Sequence, residues 1–315
     1  MQNDTKKSFD GEFKLQKTII RYNLNMNIEQ NNELLKTTNI AGVILKPNAP
    51  ELRDVYINIK ATFENVGIKI LLDKSSANMI NEKNGILFKD LCLQSDFLVT
   101  VGGDGTLISV CRRSFQYNKA VLGINLGTLG FLTDILPEQL TSFLNDFKED
   151  RYKIDTRMMI EACIKNDDIV SFNDIVITRK DITHMVNIEA KVDGKLFNTY
   201  YGDGLIISTP TGSTAYNLSS GGPVVYPLTD AFIVTPICPH SLTQRPLVLP
   251  AQFELELSSP DEDGATVIID GQDVIELKQD ETIKIQIASN KARLIRSKGR
   301  NYFDVLSTKL NWGQN

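Results

Sequence analysis

The chain has few of the residues that usually mark metal or nucleophile chemistry. Its 315 residues include four cysteines, two histidines and one tryptophan. Cys92, Cys111, Cys163 and Cys238 form no Cys-x-x-Cys pair, and His184 and His240 stand far apart in sequence. A structural zinc site is therefore not expected. Isolated thiols of this kind suit a reducing compartment, so the expected location is cytoplasmic. Long basic runs are missing and the formal net charge is -5. Nucleic acid and anionic membrane, which need clustered Lys and Arg, are thereby set aside as main partners. There is no apolar stretch approaching about 18 residues and no secretory apolar core near the N-terminus, so neither membrane spanning nor export is expected. What is present, 42% hydrophobic and 23% charged residues, suits an ordinary globular protein with material for about two domains.

Residues 1–36, rich in Asn, Lys, Gln and Glu, read as a disordered extension. From Ile40 the texture changes. Ala41 to Leu45 reads as a buried strand, and Leu52, Val55, Tyr56, Ile59, Phe63 and Val66 then recur at the spacing of an amphipathic helix. Ile68 to Leu72, Phe97 to Val101 and Ala120 to Ile124 continue the strands, so a mostly parallel sheet is expected up to about residue 136. Glu138 to Phe147 reads as one connecting helix. Beyond it come short β-branched runs separated by Gly, Asp and Asn, among them Met158 to Ile164, Asp174 to Thr178, Leu205 to Ser208 and Ala292 to Ile295. The expected organisation is an α/β N-terminal domain over 37–137 and a β-rich C-terminal domain over 138–296.

Two glycine turns follow strands of the first domain. Gly102-Gly103-Asp104-Gly105-Thr106 sits between an apolar strand and a helical pattern, where small residues let backbone approach a ligand and free helical N–H groups favour phosphate. Neither the P-loop nor the dinucleotide fingerprint fits, because the centre of the loop is an acid. An acid beside polyphosphate either carries a divalent metal or takes a proton from a hydroxyl nucleophile. The plainer alternative is a strand-to-helix turn with Asp104 as helix cap. The second turn, Gly123 to Leu132, lies at the end of the next strand and would form the adjoining wall of a cleft.

In the second domain, Ser208-Thr209-Pro210-Thr211-Gly212-Ser213-Thr214-Ala215-Tyr216 runs into Ser219-Ser220-Gly221-Gly222-Pro223. So many hydroxyls and amides before a short helix suit a nucleobase edge, with Tyr216 available to stack. A well-capped helix entry and a core tyrosine would explain a few of these residues. His184 and His240 are read as structural, and Asp270-Gly271-Gln272 as a hairpin turn.

Taken in order, Gly102 to Thr106, Asn125-Leu126-Gly127-Thr128-Leu129-Gly130-Phe131-Leu132-Thr133-Asp134, Asn173-Asp174, Ser208 to Tyr216, His240 to Val248 and Leu306 to Trp312 resemble the bacterial-type NAD kinases. The first loop is also shared with diacylglycerol kinases, sphingosine kinases and phosphofructokinases. The resemblance covers about residues 38 to 312. It implies an NAD kinase/diacylglycerol kinase-like fold in which residues 297–315 return to the first domain. It implies transfer of the γ-phosphoryl of ATP, or in some relatives polyphosphate, to the 2'-hydroxyl of the adenosine ribose of NAD, giving NADP. Asp104 would be the base; Gly102, Gly103, Gly105 and Thr106 would face phosphate; and Mg2+ would be held mainly by the phosphates. Asn173 and Asp174 would hold adenine and ribose, with Gly105 and Gln272 beside them. Thr211, Thr214, Ala215, Tyr216 and Ser219 would line the adenine pocket, and Asp203 would fix the nicotinamide half. Asp174 stands where the family usually has a glutamate, one methylene longer. A homodimer or homotetramer is expected by the same analogy. The rivals are a lipid kinase, a sugar-phosphate kinase and a non-catalytic NAD-binding module. The hydroxyl-rich turn suits a polar base better than an acyl chain, and two histidines are few for a sugar-phosphate site.

Overall fold

The computed structural model describes residues 39–127, 130–181 and 183–312; the N-terminal extension of the sequence reading lies outside them. Strands β1 (Ile40–Leu45), β2 (Lys69–Asp73), β3 (Gly85–Ile86), β4 (Phe97–Gly102), β5 (Ala120–Asn125) and β6 (Tyr152–Arg157) join the late strand Ala292–Ser297 in one seven-stranded sheet. Its order is β3-β2-β1-β4-β5, then Ala292–Ser297, then β6. All neighbours are parallel except the last pair. The apolar runs of β4 and β5 carry no polar alternation because both faces are covered. Phe97, Val99, Val101, Leu122 and Ile124 point into one core with the helix residues Tyr56, Ile59 and Phe63. Leu98 and Val121 point into the other, against Leu107, Val110 and Cys111 of the helix Asp104–Arg113.

The first packed unit is longer than the sequence suggested. The helix Leu140–Lys148 spaces Leu140, Phe143, Leu144 and Phe147 at three- and four-residue steps, and these side chains enter the first core. Phe147 lies 5.4 Å from Phe97 and 4.6 Å from Tyr152, centroid to centroid. Packing therefore continues to Arg157 rather than ending at 137. The strand Ala292–Ser297, expected in the β-rich domain, instead pairs with β5 in the first sheet. β6 was not visible as a strand because Tyr-Lys-Ile-Asp-Thr-Arg offers little apolar alternation on a sheet edge.

The second unit is a sandwich of two six-stranded antiparallel sheets. Ile160, Ala162, Ile188, Leu257 and Ile285 of one sheet meet Ile175, Ile177, Leu205, Ile207 and Val267 of the other in a common core. Several strands escaped sequence reading. Ala231–Ile237 contains Pro236, and Lys195–Gly202, Leu247–Pro250 and Asp273–Leu277 are partly exposed edges. Where the two units meet, Leu107, Ile108 and Cys111 pack with Met159 and Phe172. That contact seats the helix that begins at Asp104 against the second domain.

One carboxylate pins the junction. The strands Ala265–Ile269 and Asp273–Leu277 are joined through Asp270 and Gly271, both left-handed, with φ of 50° and 64°. The turn aims the Asp270 side chain, fully buried, back under residues 171–174. Oδ1 accepts from the amides of Asn173 (2.7 Å) and Asp174 (3.0 Å) and from Ser171 Oγ (2.8 Å), and Oδ2 accepts from the amide of Phe172 (2.8 Å). Arg112 Nε lies 3.3 Å from Oδ2. Replacing Asp270 by Ala leaves three amides unpaired and takes one carboxylate from Arg112, which keeps Asp273, Gln272 and the Val170 carbonyl, and should lower stability by about 3 kcal/mol. Urea unfolding reads this directly, and a loss below about 1 kcal/mol, the size of one ordinary hydrogen bond, would contradict the assignment.

Candidate functional site

The glycine loop closes β4 and opens the helix Asp104–Arg113, with Gly103 as the N-cap residue. Gly102 is demanded by the fold itself, since a Cβ there would stand 2.5 Å from Thr106 Oγ1. Gly103 and Gly105 are different, because a Cβ on either would meet nothing within 4 Å. Their bareness leaves room beside the loop.

Asp104 does not cap its own helix. Its carboxylate reaches across to the second glycine turn, where Oδ2 accepts from the amide of Phe131 (2.8 Å). Oδ1 accepts from the amides of Leu132 (3.2 Å) and Thr133 (2.9 Å) and from Thr133 Oγ1 (2.8 Å). Gly130 admits this approach; a Cβ there would lie 2.1 Å from Asp104 Oδ1. Thr128 and Leu129 of the same motif lie outside the described residues. Two arginines hold the turn from behind. Arg300 Nη2 donates to the Gly130 carbonyl (2.8 Å), Arg296 Nη2 to that of Phe131 (3.3 Å), and Arg296 Nε to Asp134 Oδ2 (3.0 Å). Burial pushes the Asp134 carboxyl above its ordinary range even against these cations, and pulls Arg300 down to about 10.

A second cluster forms where strand Gly204–Ser208 lies against Asp174–Thr178. The Asn173 carbonyl accepts from the amide of Thr209 (2.8 Å) and from Ser208 Oγ (3.2 Å). Thr209 Oγ1 donates to the Phe172 carbonyl (2.8 Å) and accepts from the amide of Gly212 (3.0 Å). Gly212 is packed so closely that a Cβ would fall 2.2 Å from the Asn173 carbonyl oxygen. Part of the polar run is thus scaffold. Asn217, fully buried, ties Ser213, Pro223 and Thr235 together. The remainder is not consumed in this way. Thr211 Oγ1 is buried without a partner, Thr214 and Ala215 are half-buried, and Tyr216 and Ser219 are exposed. Beside them Asp174 is buried, and desolvation, reinforced by the Asp270 charge, raises its carboxyl to about 7.

The two clusters are joined by Arg112, which the sequence reading did not single out, and by Gln272, which it placed beside Asn173 and Asp174. Arg112 Nε donates to the Val170 carbonyl (2.9 Å) and faces Asp270, Nη1 donates to Gln272 Oε1 (3.2 Å), and Nη2 bonds Asp273. Gln272 Nε2 in turn donates to the Gly105 carbonyl (3.1 Å). Gly105, Gln272, Arg112, Asp270 and Asn173-Asp174 therefore form one connected set. Asp203 is not part of it. It lies at the other end of strand Gly204–Ser208 from the Thr209–Tyr216 turn and pairs with Arg179 at 2.6 Å. Arg112, Arg179, Arg296 and Arg300 gave no motif signal, because an arginine in a sequence shows nothing of the partner it will meet. His184 bonds its neighbour Thr183 and His240 lies 5.7 Å from the Tyr201 ring, both away from the glycine loops.

A cleft of about 710 Å3 opens on the far side of the first glycine loop, with Gly103, Gly105, Thr106 and Gln272 on its wall. A smaller one, about 450 Å3, lies between Gly102, Gly103, Lys46 and the start of the second glycine turn, Asn125 to Gly127. Among the described residues no group of three or more His, Cys, Asp and Glu side chains could hold a metal. No described helix is long and apolar enough to cross a membrane.

Comparison with known proteins agrees with this architecture. Residues 41–152 match the family model of the ATP-NAD kinase N-terminal domain, and 172–297 that of the ATP-NAD kinase C-terminal domain. The NAD kinase of Sulfurimonas denitrificans is 49% identical over 87% of this chain and 97% of its own length. That of Wolinella succinogenes is 45% identical over 89% and 97%. In fold, the chain is similar to yeast NADH kinase complexed with NADH, with TM-score 0.79, 24% identity and coverage of 88% and 89% of the two chains. It is also similar to an NAD kinase from Archaeoglobus fulgidus in complex with ATP, with TM-score 0.69, 24% identity and coverage of 86% and 98%. Two consecutive domain models, relatives matched along nearly their whole length and a glycine loop tied to a hydroxyl-rich turn lead to one conclusion: the chain belongs to the NAD kinase family.

Proposed function

We propose that this chain transfers the γ-phosphoryl group of ATP to the 2'-hydroxyl of the adenosine ribose of NAD, with Asp104 as the base that receives the hydroxyl proton. The 2'-oxygen attacks the γ-phosphorus, the bond to the β–γ bridging oxygen breaks, and ADP leaves. The observation that supports this role is the way Asp104 is held. Oδ1 already accepts three hydrogen bonds whereas Oδ2 accepts one, so Oδ2 has a lone pair free for a hydroxyl. The amides keep the carboxylate in one place, which is the preorganisation that positioned general bases need. Asn173, Asp174, Thr211, Thr214, Ala215, Tyr216 and Ser219 would take the adenosine half, Thr211 through its unpartnered hydroxyl and Tyr216 through its open ring face. Asp203, with Arg179, would act on the nicotinamide half.

Gly102, Gly103, Gly105 and Thr106 would face phosphate. Mg2+ would be held chiefly by phosphate oxygens and water, since the residues beside the loop offer hydroxyls and an amide rather than a carboxylate cage. When bound it neutralises charge on the transferring group. A homodimer or homotetramer completes the reading, and sedimentation of the purified chain tests it.

Asp104→Asn keeps the size and removes the base, and its amide nitrogen loses at least the bond from the Phe131 amide, so kcat for NADP formation should fall by at least roughly 10^2- to 10^4-fold. A variant within about tenfold of wild type would defeat the role of Asp104. Gly130→Ala should also lower kcat, because its methyl would displace the Asp104 carboxylate. Incubation with NAD, ATP and Mg2+, followed by assay for NADP, separates this reaction from lipid or sugar-phosphate phosphorylation and from binding without transfer.

Asp174 makes both stability and binding depend on pH. Its folded-state value of about 7 lies above the unfolded carboxyl near about 4. Between those values the native state binds the extra proton, so the Asp174 contribution to stability declines as pH rises and reaches its full penalty above about 7. Asp174→Asn should therefore raise Tm relative to wild type more at pH 8 than at pH 5.5. A ribose hydroxyl donates best to the ionised form, so the wild-type KM for NAD should fall from pH 6 to pH 8 and that of the Asn variant should stay flat. Equal shifts in Tm at both pH values would contradict the burial argument.

A further inference from the structure

The bonds that hold Asp104 and the bonds that hold the turn behind it fall on the same peptide groups. The N–H of the peptide joining Gly130 to Phe131 donates to Asp104 Oδ2 at 2.8 Å, and the carbonyl of that peptide accepts from Arg300 Nη2, also at 2.8 Å. The N–H of the next peptide, Phe131 to Leu132, donates to Oδ1 at 3.2 Å, and its carbonyl accepts from Arg296 Nη2 at 3.3 Å. Each oxygen of the acid is thereby linked to one guanidinium through one peptide plane. A cation on the carbonyl polarises the peptide and strengthens the bond that its N–H makes on the far side.

The two arginines come from the far end of the chain, and pairing in the first sheet delivers them. The strand Ala292–Ser297 runs parallel to β5, with Leu294 beside Val121 and Ile295 beside Leu122. Arg296 therefore comes level with the last residues of β5, where the chain leaves for the second glycine turn. The Asn125 amide donates to the Ile135 carbonyl at 2.7 Å and closes that turn at its base. Gly123 makes room for it, since a Cβ there would stand 2.8 Å from Thr133 Cγ2. The side chains of Arg296 and Arg300 are only 5% and 11% exposed, and they share Asp134 Oδ2 at 3.0 Å and 3.6 Å. One buried acid against two buried cations leaves a positive excess behind the turn. Burial pulls Arg300 down to about 10, and the charges of Asp134 and, more weakly, Asp104 act against that pull. Arg300 thus feels the acid on the other side of the peptide.

We propose that Arg300 is a positioning residue for the phosphoryl transfer, acting through the Gly130–Phe131 peptide on Oδ2 of Asp104, and that Arg296 acts likewise on Oδ1 through the next peptide. The assignment rests on the reading of Asp104 as the base and adds to it the means by which the proton-accepting oxygen is aimed. Oδ1 is anchored three times over, by two amides and the Thr133 hydroxyl. Oδ2 accepts from the Phe131 amide alone, so the peptide that Arg300 clamps sets the direction of its remaining lone pair. Without the guanidinium that peptide is free to turn, and a displacement beyond about 0.5 Å is enough to spoil a catalytic contact. Arg300 acts through Asp104 and not on either substrate.

A double-mutant cycle in the full chain tests this linkage. Arg300→Met should lower kcat for NADP formation at least tenfold and leave the KM for NAD and for ATP within twofold. Arg300→Lys, the milder change, keeps the charge but offers a shorter reach and no planar fork, and should lower kcat at least threefold. Neither loss should persist beside Asp104→Asn, where the oxygen that accepts from Phe131 is gone. In that background, read in single turnovers, the same substitutions should change the residual rate by less than twofold. An arginine with a merely structural role would give the same factor in both backgrounds. That result would overturn the proposal, as would a kcat within twofold of wild type in every Arg300 variant that circular dichroism shows to be folded, or a rise in either KM that accounts for the loss. Asp104→Asn alone tests the base and the coupling tests the arginine, so the two failures are separable.

Discussion

The buried carboxylate of Asp270 is the interaction on which the arrangement of the site depends. A hairpin turn of the second domain could have been an exposed ornament. Here it sends a charged side chain into the junction, where three successive amides and a hydroxyl converge on it and Arg112 of the first domain supplies the opposite charge. A buried carboxylate unpaired in this position would be expelled or protonated; paired, it fixes everything that it touches. Asn173 and Asp174 take their positions from it, and through Arg112 and Gln272 so does the carbonyl of Gly105. The donors around the pair Asp174 and Asp270 are also divided unequally. Asp270 receives the amides, and Asp174, buried beside it, is left with a carboxyl raised to about 7.

The same logic orders the glycine loops. Asp104 sits in a loop stripped of side chains, yet it is not loose, because amides of the next loop hold both of its oxygens. Those amides are in turn backed by Arg296 and Arg300 on the carbonyl side of the turn. Cation, peptide dipoles and carboxylate thus line up across three segments distant in sequence. In the proposed reaction, bare backbone on the outer side of the loop would meet phosphate and the rigidly held acid on the inner side would meet the hydroxyl.

Much of the fold was legible. Phe97 to Val101 and Ala120 to Ile124 are continuous apolar runs, and such runs bounded by glycine turns are what a parallel strand buried on both faces requires. The stripe Tyr56, Ile59 and Phe63 was equally plain. The domain limit was harder to read, because Leu140, Phe143, Leu144 and Phe147 announce an amphipathic helix without saying which core receives it. Ala292–Ser297 likewise reads as a strand, but its partner in the first sheet lies far away in the chain.

For the site, the sequence by itself determined the chemistry on offer. Glycines that bare the backbone, a lone acid among them and a run of hydroxyls before a short helix are local patterns, and local geometry follows from them. Only the tertiary structure decided which of these groups are scaffold and which stay free. Thr209 and Asn217 are consumed by backbone partners, whereas Thr211 Oγ1 has none. Asp270, a turn residue by its neighbours, became the pin of the junction because the fold brought three amides and an arginine to it. Hydrogen-bond satisfaction in a buried site depends on groups from remote segments, and no run of neighbouring residues encodes who those partners will be.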